Sequence, residues 1–318
     1  KGPSTIPALA IDPFVVKVWY LSGFYSGDPI GRFLVPDLLL KDDDLVRVNQ
    51  QEEHNYLRHT AEDGTIEYRL CSGSSSENLK GIRPVQPGTL QPVTVQAGQT
   101  KAFWLTIHVP EDAESGEYTG SVSLVWDDGR KRKDLPLLFR VLPFDLPPSP
   151  LTYSVFNRSR LSPTPEVGNI NTEYVSAEWY EREIRNQVEH GVLYPNSYDG
   201  LRMLRPVLEA RRRAGVGTDK FFCVDLSYHV SLAVKGGEEK REKLKERIAN
   251  WKPILEEFGY KDFYVMGKDE ARGHMLVAQR PVIKLIHEAG AKVWAAATHE
   301  TTFDHIGDLM DLAVMAGK

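Results

Sequence analysis

Asp262-Phe263-Tyr264-Val265-Met266-Gly267-Lys268-Asp269-Glu270-Ala271 decides how the second half of this chain reads. Phe263 to Met266 form a short apolar run, long enough for a buried strand. Gly267 ends it, and two adjacent carboxylates, Asp269 and Glu270, follow. On its own, an Asp-Glu pair reads as solvated surface. Its context changes that reading, because a buried parallel strand ending in acidic residues is where an α/β barrel keeps its chemistry.

Working outward, the stretch before it carries Leu244, Ile248, Trp251, Leu255 and Phe258, which recur as one face of a helix stopped by Gly259. After it, another helix runs to Ala289 and Gly290, with Pro281 either starting or kinking it. Lys292 to Ala297 reads as a strand, and Leu312 to Ala316 as a further one. Upstream, Tyr153–Phe156, Val192–Tyr194 and Phe221–Leu226 read as strands. Helices are expected from about Glu173 to His190 and around Leu201, Leu204 and Leu208. Strands alternating with helices imply right-handed crossovers and a parallel sheet. The expectation for residues 151–318 is therefore a (β/α)8-type barrel, its first five to six strands present and its C-terminal end incomplete. Further chain would complete it, since open parallel edges are costly.

The first half has another period. Phe14–Tyr20, Val35–Leu40 and Leu45–Val48 read as strands around the acidic turn Asp42-Asp43-Asp44. From Val93 the β signal is clearest. Phe103, Leu105, Ile107 and Val109 alternate with Trp104, Thr106 and His108, and Tyr118 to Trp126 repeats the pattern. Asp127-Asp128-Gly129 is a hairpin signal, and Leu135–Leu142 returns. Residues 50–81, with Ser-Gly-Ser-Ser-Ser at 72–76, read as a long excursion or mobile loop. The basic run Arg130 to Lys133 reads as a solvated tip. Residues 1–145 are thus expected to be an antiparallel β-sandwich. The Pro-rich junction inside PFDLPPSP, residues 146–150, separates it from the second half.

Composition narrows the partners. The chain has 318 residues, 39 Lys and Arg against 44 Asp and Glu, and a formal net charge of -5. That balance argues against a nucleic-acid partner. No apolar run approaches the ~20 residues that span a bilayer. The chain opens at Lys1, and a removed leader would favour a periplasmic or secreted location. Cys71 and Cys223 fall in different halves and read as buried thiols. Asn157-Arg158-Ser159 matches a glycosylation triplet of the kind that arises by chance.

Several motifs are set aside. His299-Glu300-Thr301-Thr302-Phe303 lacks the second histidine of a zinc-binding helix, and His305 falls on another face. Gly215-Val216-Gly217 follows a helix and is no dinucleotide fingerprint. The reading calls for no metal and no cofactor. What remains is the carboxylate pair. Adjacent carboxylates cannot straddle a sugar ring as acid and nucleophile. They suit a substrate-assisted route, in which the substrate's own 2-acetamido carbonyl attacks the anomeric carbon. One carboxylate orients the acetamido group, and its neighbour is general acid and then general base. Tyr194 and Asn196, Tyr228 and His229, and Thr298 and His299 follow other expected strands. They are candidates for sugar stacking and hydroxyl recognition, or for loop packing.

Several stretches resemble glycoside hydrolase family 123 and its uncharacterised relatives. They are Val16-Lys17-Val18-Trp19-Tyr20, Val35-Pro36-Asp37-Leu38-Leu39-Leu40, Ala97-Gly98-Gln99-Thr100, Phe103-Trp104-Leu105-Thr106, Val109-Pro110 and Gly116-Glu117-Tyr118-Thr119-Gly120. The Pro-rich junction and the strand ending Gly267-Lys268-Asp269-Glu270 are similar to the start and middle of that family's barrel. The resemblance implies a β-N-acetylgalactosaminidase-like retaining hydrolase acting on a glycan. In it Asp269 would orient the acetamido group and Glu270 would be the acid/base. Two other readings stay open: a carbohydrate-binding or structural protein with a degenerate barrel, and a hydrolase of the same fold on a different glycan.

Overall fold

The computed structural model describes residues 3–25, 28–71, 81–82, 84–127, 131–147, 149–164 and 173–315. The chain divides into two compact units, residues 1–148 and 149–318.

In the first unit, β1 (Ile11–Tyr25) pairs antiparallel with β2 (Asp28–Leu40) on one side. On the other it pairs with β6 (Phe103–Ile107). A second antiparallel sheet orders β3 (Val46–Asn49), β4 (His54–Thr60) and β5 (Ile66–Leu70). A third is the hairpin of β7 (Gly116–Val125) and β8 (Lys131–Val141). Among the described residues these are three small sheets, which corrects the expected sandwich of two facing sheets. Alternation fixes which residues point inward along a strand, but it does not fix which strands share a ladder. The polar excursion expected at 50–81 is corrected too, since β4 and β5 lie inside it. The serine-rich 72–76 falls outside the described residues, as do 128–130 at the expected hairpin tip.

The core of this unit joins Val15 and Leu40 to Leu45 and Val46. Beside it, Lys17 is buried and satisfied: its Nζ donates to the Asp43 backbone oxygen at 2.7 Å and pairs with the Asp43 carboxylate at 3.1 Å.

The second unit is organised by a parallel sheet of four strands in sequence order. They are β11 (Lys220–Cys223), β12 (Asp262–Met266), β13 (Lys292–Ala297) and β14 (Leu312–Met315). Before them lie the two-residue strands β9 (Arg160–Leu161) and β10 (Tyr174–Val175), paired among the described residues only with each other. No barrel closes among the described residues, which corrects the (β/α)8-type expectation. Tyr153–Phe156 and Val192–Tyr194 are not strands. In their place a single parallel bridge, Ser197 to Cys223, flanks β11.

Helices α1 (Ala177–Glu189) and α2 (Leu204–Arg213) precede the sheet. Helices α3 (Ser227–Lys235), α4 (Glu238–Glu257), α5 (His274–Ala278), α6 (Arg280–Glu288) and α7 (Thr302–Ile306) make the crossovers. The register of Phe221, Phe263 and Val265 with their neighbours explains the packing. Phe221, Cys223, Phe263, Val265, Val293 and Ala295 point to one face and join Leu244, Ile248, Trp251 and Leu255 of α4 in the main core. The alternate residues Phe222, Val224, Tyr264, Met266 and Trp294 form a second, aromatic cluster on the other face. Gly259 ends α4 at φ 84°, a left-handed cap that a side chain would resist.

Candidate active site

The parallel register brings the C-terminal ends of β11, β12 and β13 to one edge of the sheet. Neighbouring strands there stand ~4.8 Å apart. Among the described residues strand order never reverses and no switch-point crevice forms, so the site rests on what the loops deliver.

The loop after β12 is held from two sides. Gly267 N–H donates to the Trp294 carbonyl at 2.8 Å. Lys268 N–H donates to the side-chain oxygen of the buried Gln279 at 3.2 Å. A Cβ on Gly267 would stand 3.3 Å from that oxygen and 3.4 Å from Ala295 Cβ, so the close approach favours glycine. Ala271, 4% exposed, anchors the far end. Between these fixed points Asp269 and Glu270 are exposed. Neither carboxylate accepts a hydrogen bond or an ion pair among the described residues. Glu270 has φ 45°, in the left-handed region. The loop thus spends backbone strain to present two uncommitted carboxylates.

Tyr198 lies within electrostatic reach. Burial pushes its phenol up; the Arg158 and Arg160 guanidinia pull it down, while Asp269 and Glu173 push it further up. Next door, Asp225 follows β11 and is partly buried. Burial holds its carboxyl above the ordinary range, opposed by His229, Arg160 and Arg247. His229 is shifted the other way: burial and then Arg247 lower it, and Asp225 raises it. A carboxyl that keeps its proton more easily thus sits one strand away from the exposed pair.

The other expected contacts scatter. Thr298 follows β13, and its Oγ1 is buried with no hydrogen-bond partner among the described residues. His299 Nδ1 lies 2.9 Å from Thr301 Oγ1. Tyr228, 65% exposed, and His229 sit on the first turn of α3 with their rings edge to face. Asn196 is buried, and its Oδ1 accepts from Asn157 N–H at 3.2 Å. Tyr194 is at the opposite end of the sheet: its hydroxyl donates to Asp219 at 3.1 Å, and Lys220, the first residue of β11, lies over its ring. Asn196 and Tyr194 therefore support the architecture, and Thr298 and His229 stay at the edge with the carboxylates.

Asn196 belongs to a buried polar clamp. Asp199 Oδ1 accepts from Leu161 N–H at 2.8 Å, and its Oδ2 from Tyr180 Oη and Ser197 Oγ at 3.3 Å each. The buried Arg211 donates to the Pro195 carbonyl. These bonds fix segment 195–199 and so place Tyr198.

Sequence reasoning missed Asp225 and Tyr198. Asp225 was hidden by reading Phe221–Leu226 as one strand, whereas β11 ends at Cys223. A strand three residues shorter puts Asp225 at the same edge as Asp269. No protein-family model, curated protein or solved structure matches the chain. The likeness to glycoside hydrolase family 123 therefore rests on the quoted sequence stretches alone.

Proposed function

We propose that this chain hydrolyses terminal β-linked N-acetylhexosaminides, with N-acetylgalactosamine the preferred sugar, by a substrate-assisted retaining route. The observation that carries the reading is the strained, doubly anchored loop that exposes Asp269 and Glu270 together, unpaired, at the end of a central parallel strand. Asp269, on the side of Tyr198, would hold the acetamido N–H and stabilise the positive charge of the cyclised intermediate. Glu270 would give its proton to the leaving oxygen and then take one from water. The proton comes from the carboxylic acid, the ring oxygen of the oxazolinium comes from the substrate, and water restores both. The route needs both carboxylates on one side of the sugar, which adjacent residues supply.

The test is hydrolysis of a chromogenic N-acetyl-β-galactosaminide and its gluco isomer by the chain, by Glu270→Gln and by Asp269→Asn. Loss of at least about a hundredfold in Glu270→Gln supports the acid/base role. A folded chain that cleaves neither substrate overturns the reading and leaves a non-catalytic carbohydrate-binding protein or a hydrolase of a different glycan in its place.

A further inference from the structure

The first unit carries a cleft of about 760 Å³ lined by Arg47, Asn49, Gln51, Tyr56, Tyr68 and Gln99, among others. That volume falls within the ~300–1,000 Å³ of small-molecule sites. Its floor follows from strand register. Arg47 stands directly opposite Tyr56, and Arg58 opposite Tyr68. With side chains alternating, these four share one face of the β3–β4–β5 sheet, while Val46 and Leu57 turn to the core.

The chemistry of that face is specific. Tyr56 Oη donates to Glu52 and Tyr68 Oη to the Asp44 carbonyl, each at 2.7 Å, so both rings are held in place. The Arg47 guanidinium lies 3.6 Å over the Tyr68 ring, which fixes its plane and leaves its N–H edge free. Arg58 is neutralised by Asp42 at 2.7 Å, whereas Arg47 has no carboxylate partner among the described residues. Asn49 Oδ1 accepts from Gln51 and Glu52 N–H, leaving its amide N–H2 to donate. The Gln51 and Gln99 side chains make no hydrogen bond among the described residues. Amides offer a donor and an acceptor together, as vicinal hydroxyls require.

We propose that this cleft binds a saccharide that carries one anionic substituent, its hydroxyls met by the Asn49, Gln51 and Gln99 amides and its carboxylate or sulfate by Arg47. A single uncompensated cation beside Glu52, on a chain of net charge -5, does not suit a polyanion such as a nucleic acid. The site lies in the unit without the Asp269–Glu270 pair, and binding is read without turnover. The result therefore stands or falls separately from the hydrolytic reading.

The experiment is a calorimetric titration of the full chain. Its probes are a disaccharide of one N-acetylhexosamine and one hexuronate, the carboxyl-reduced form of that disaccharide, and a single-stranded oligonucleotide. The acidic disaccharide is expected to bind saturably and about tenfold more tightly than the reduced form, the scale of one charge-assisted hydrogen bond. Arg47→Gln should abolish that preference, and Gln99→Ala should weaken both saccharides by about threefold. Because Arg47 also packs on Tyr68, Gln99→Ala decides the matter if Arg47→Gln loses its circular-dichroism signature. Absence of saturable saccharide binding, an unchanged preference in folded Arg47→Gln, unchanged affinities in Gln99→Ala, or tighter oligonucleotide binding would each overturn the proposal.

Discussion

Replacing Glu270 with glycine separates what the backbone wants from what the side chain does. At φ 45° Glu270 occupies the left-handed region, which costs an L-residue ~1–2 kcal/mol. Its carboxylate accepts no hydrogen bond or ion pair among the described residues, so removing it sacrifices no contact in the fold. Glycine relieves the strain but adds ~0.5–1 kcal/mol of unfolded-chain entropy. The balance is a gain of roughly 0.5–1 kcal/mol, or a rise in Tm of about 1–4 °C for a chain of this size. Glu270→Gln keeps the strain and should change stability by less than ~0.5 kcal/mol. Both variants should lose hydrolysis. The assay is denaturant unfolding beside the chromogenic rate, with Glu53→Gly, also left-handed at φ 53°, as a control for strain alone. If Glu270→Gly destabilises the chain by more than ~1 kcal/mol, the side chain is structural. The argument that strain is tolerated there for chemistry would then be refuted.

Other substitutions probe the supporting shell. Asp225→Asn should steepen the loss of stability toward acid pH. A carboxyl held above its ordinary value of 3.8 stabilises the fold most below that value, and the contribution is lost as pH rises through the raised value. The stability of the chain relative to the variant should therefore fall as pH rises above 3.8 and then level off; a constant difference would contradict the shift. Asp199→Ala leaves Leu161 N–H and Tyr180 Oη without their acceptor and should cost about 3 kcal/mol by urea unfolding. A loss below about 1 kcal/mol would mean that water replaces the clamp. Trp251→Ala, at a position 1% exposed in the main core, should cost ~3–5 kcal/mol, read from the same midpoint shift.

Periodicity made some of this legible before any coordinates. Leu244, Ile248, Trp251 and Leu255 are buried on one face of α4 because a helix repeats every 3.6 residues. β12 and β13 are apolar runs bounded by Gly267 and by Gly290, and they form where the sequence places them. Tyr153–Phe156 misled because its residues favour strands. Yet Tyr153, Val155 and Phe156 are 48%, 42% and 45% exposed and find no ladder. Whether strands close into a barrel depends on hydrogen bonds between distant segments, and no local pattern encodes them. β4 escaped notice for the opposite reason. His54, Tyr56 and Arg58 share the outer face and made the stretch look polar, while Asn55 and Leu57 lie on the inner one. At the edge of the parallel sheet the Asp-Glu pair was readable as a motif. Asp225 and Tyr198 were not: the first owes its place to where β11 ends, and the second to the buried bonds that hold segment 195–199.

The central claim is that the substrate's own acetamido group does the first displacement beside Asp269 and Glu270. The measurement that reaches it most directly is the rate on a chromogenic N-acetyl-β-galactosaminide set against the matching β-galactoside, which lacks the acetamido group. The account predicts turnover of the first and a loss of at least about a thousandfold on the second, the scale of a well-oriented intramolecular nucleophile. Comparable rates on both, or turnover of neither by the folded chain, would contradict it.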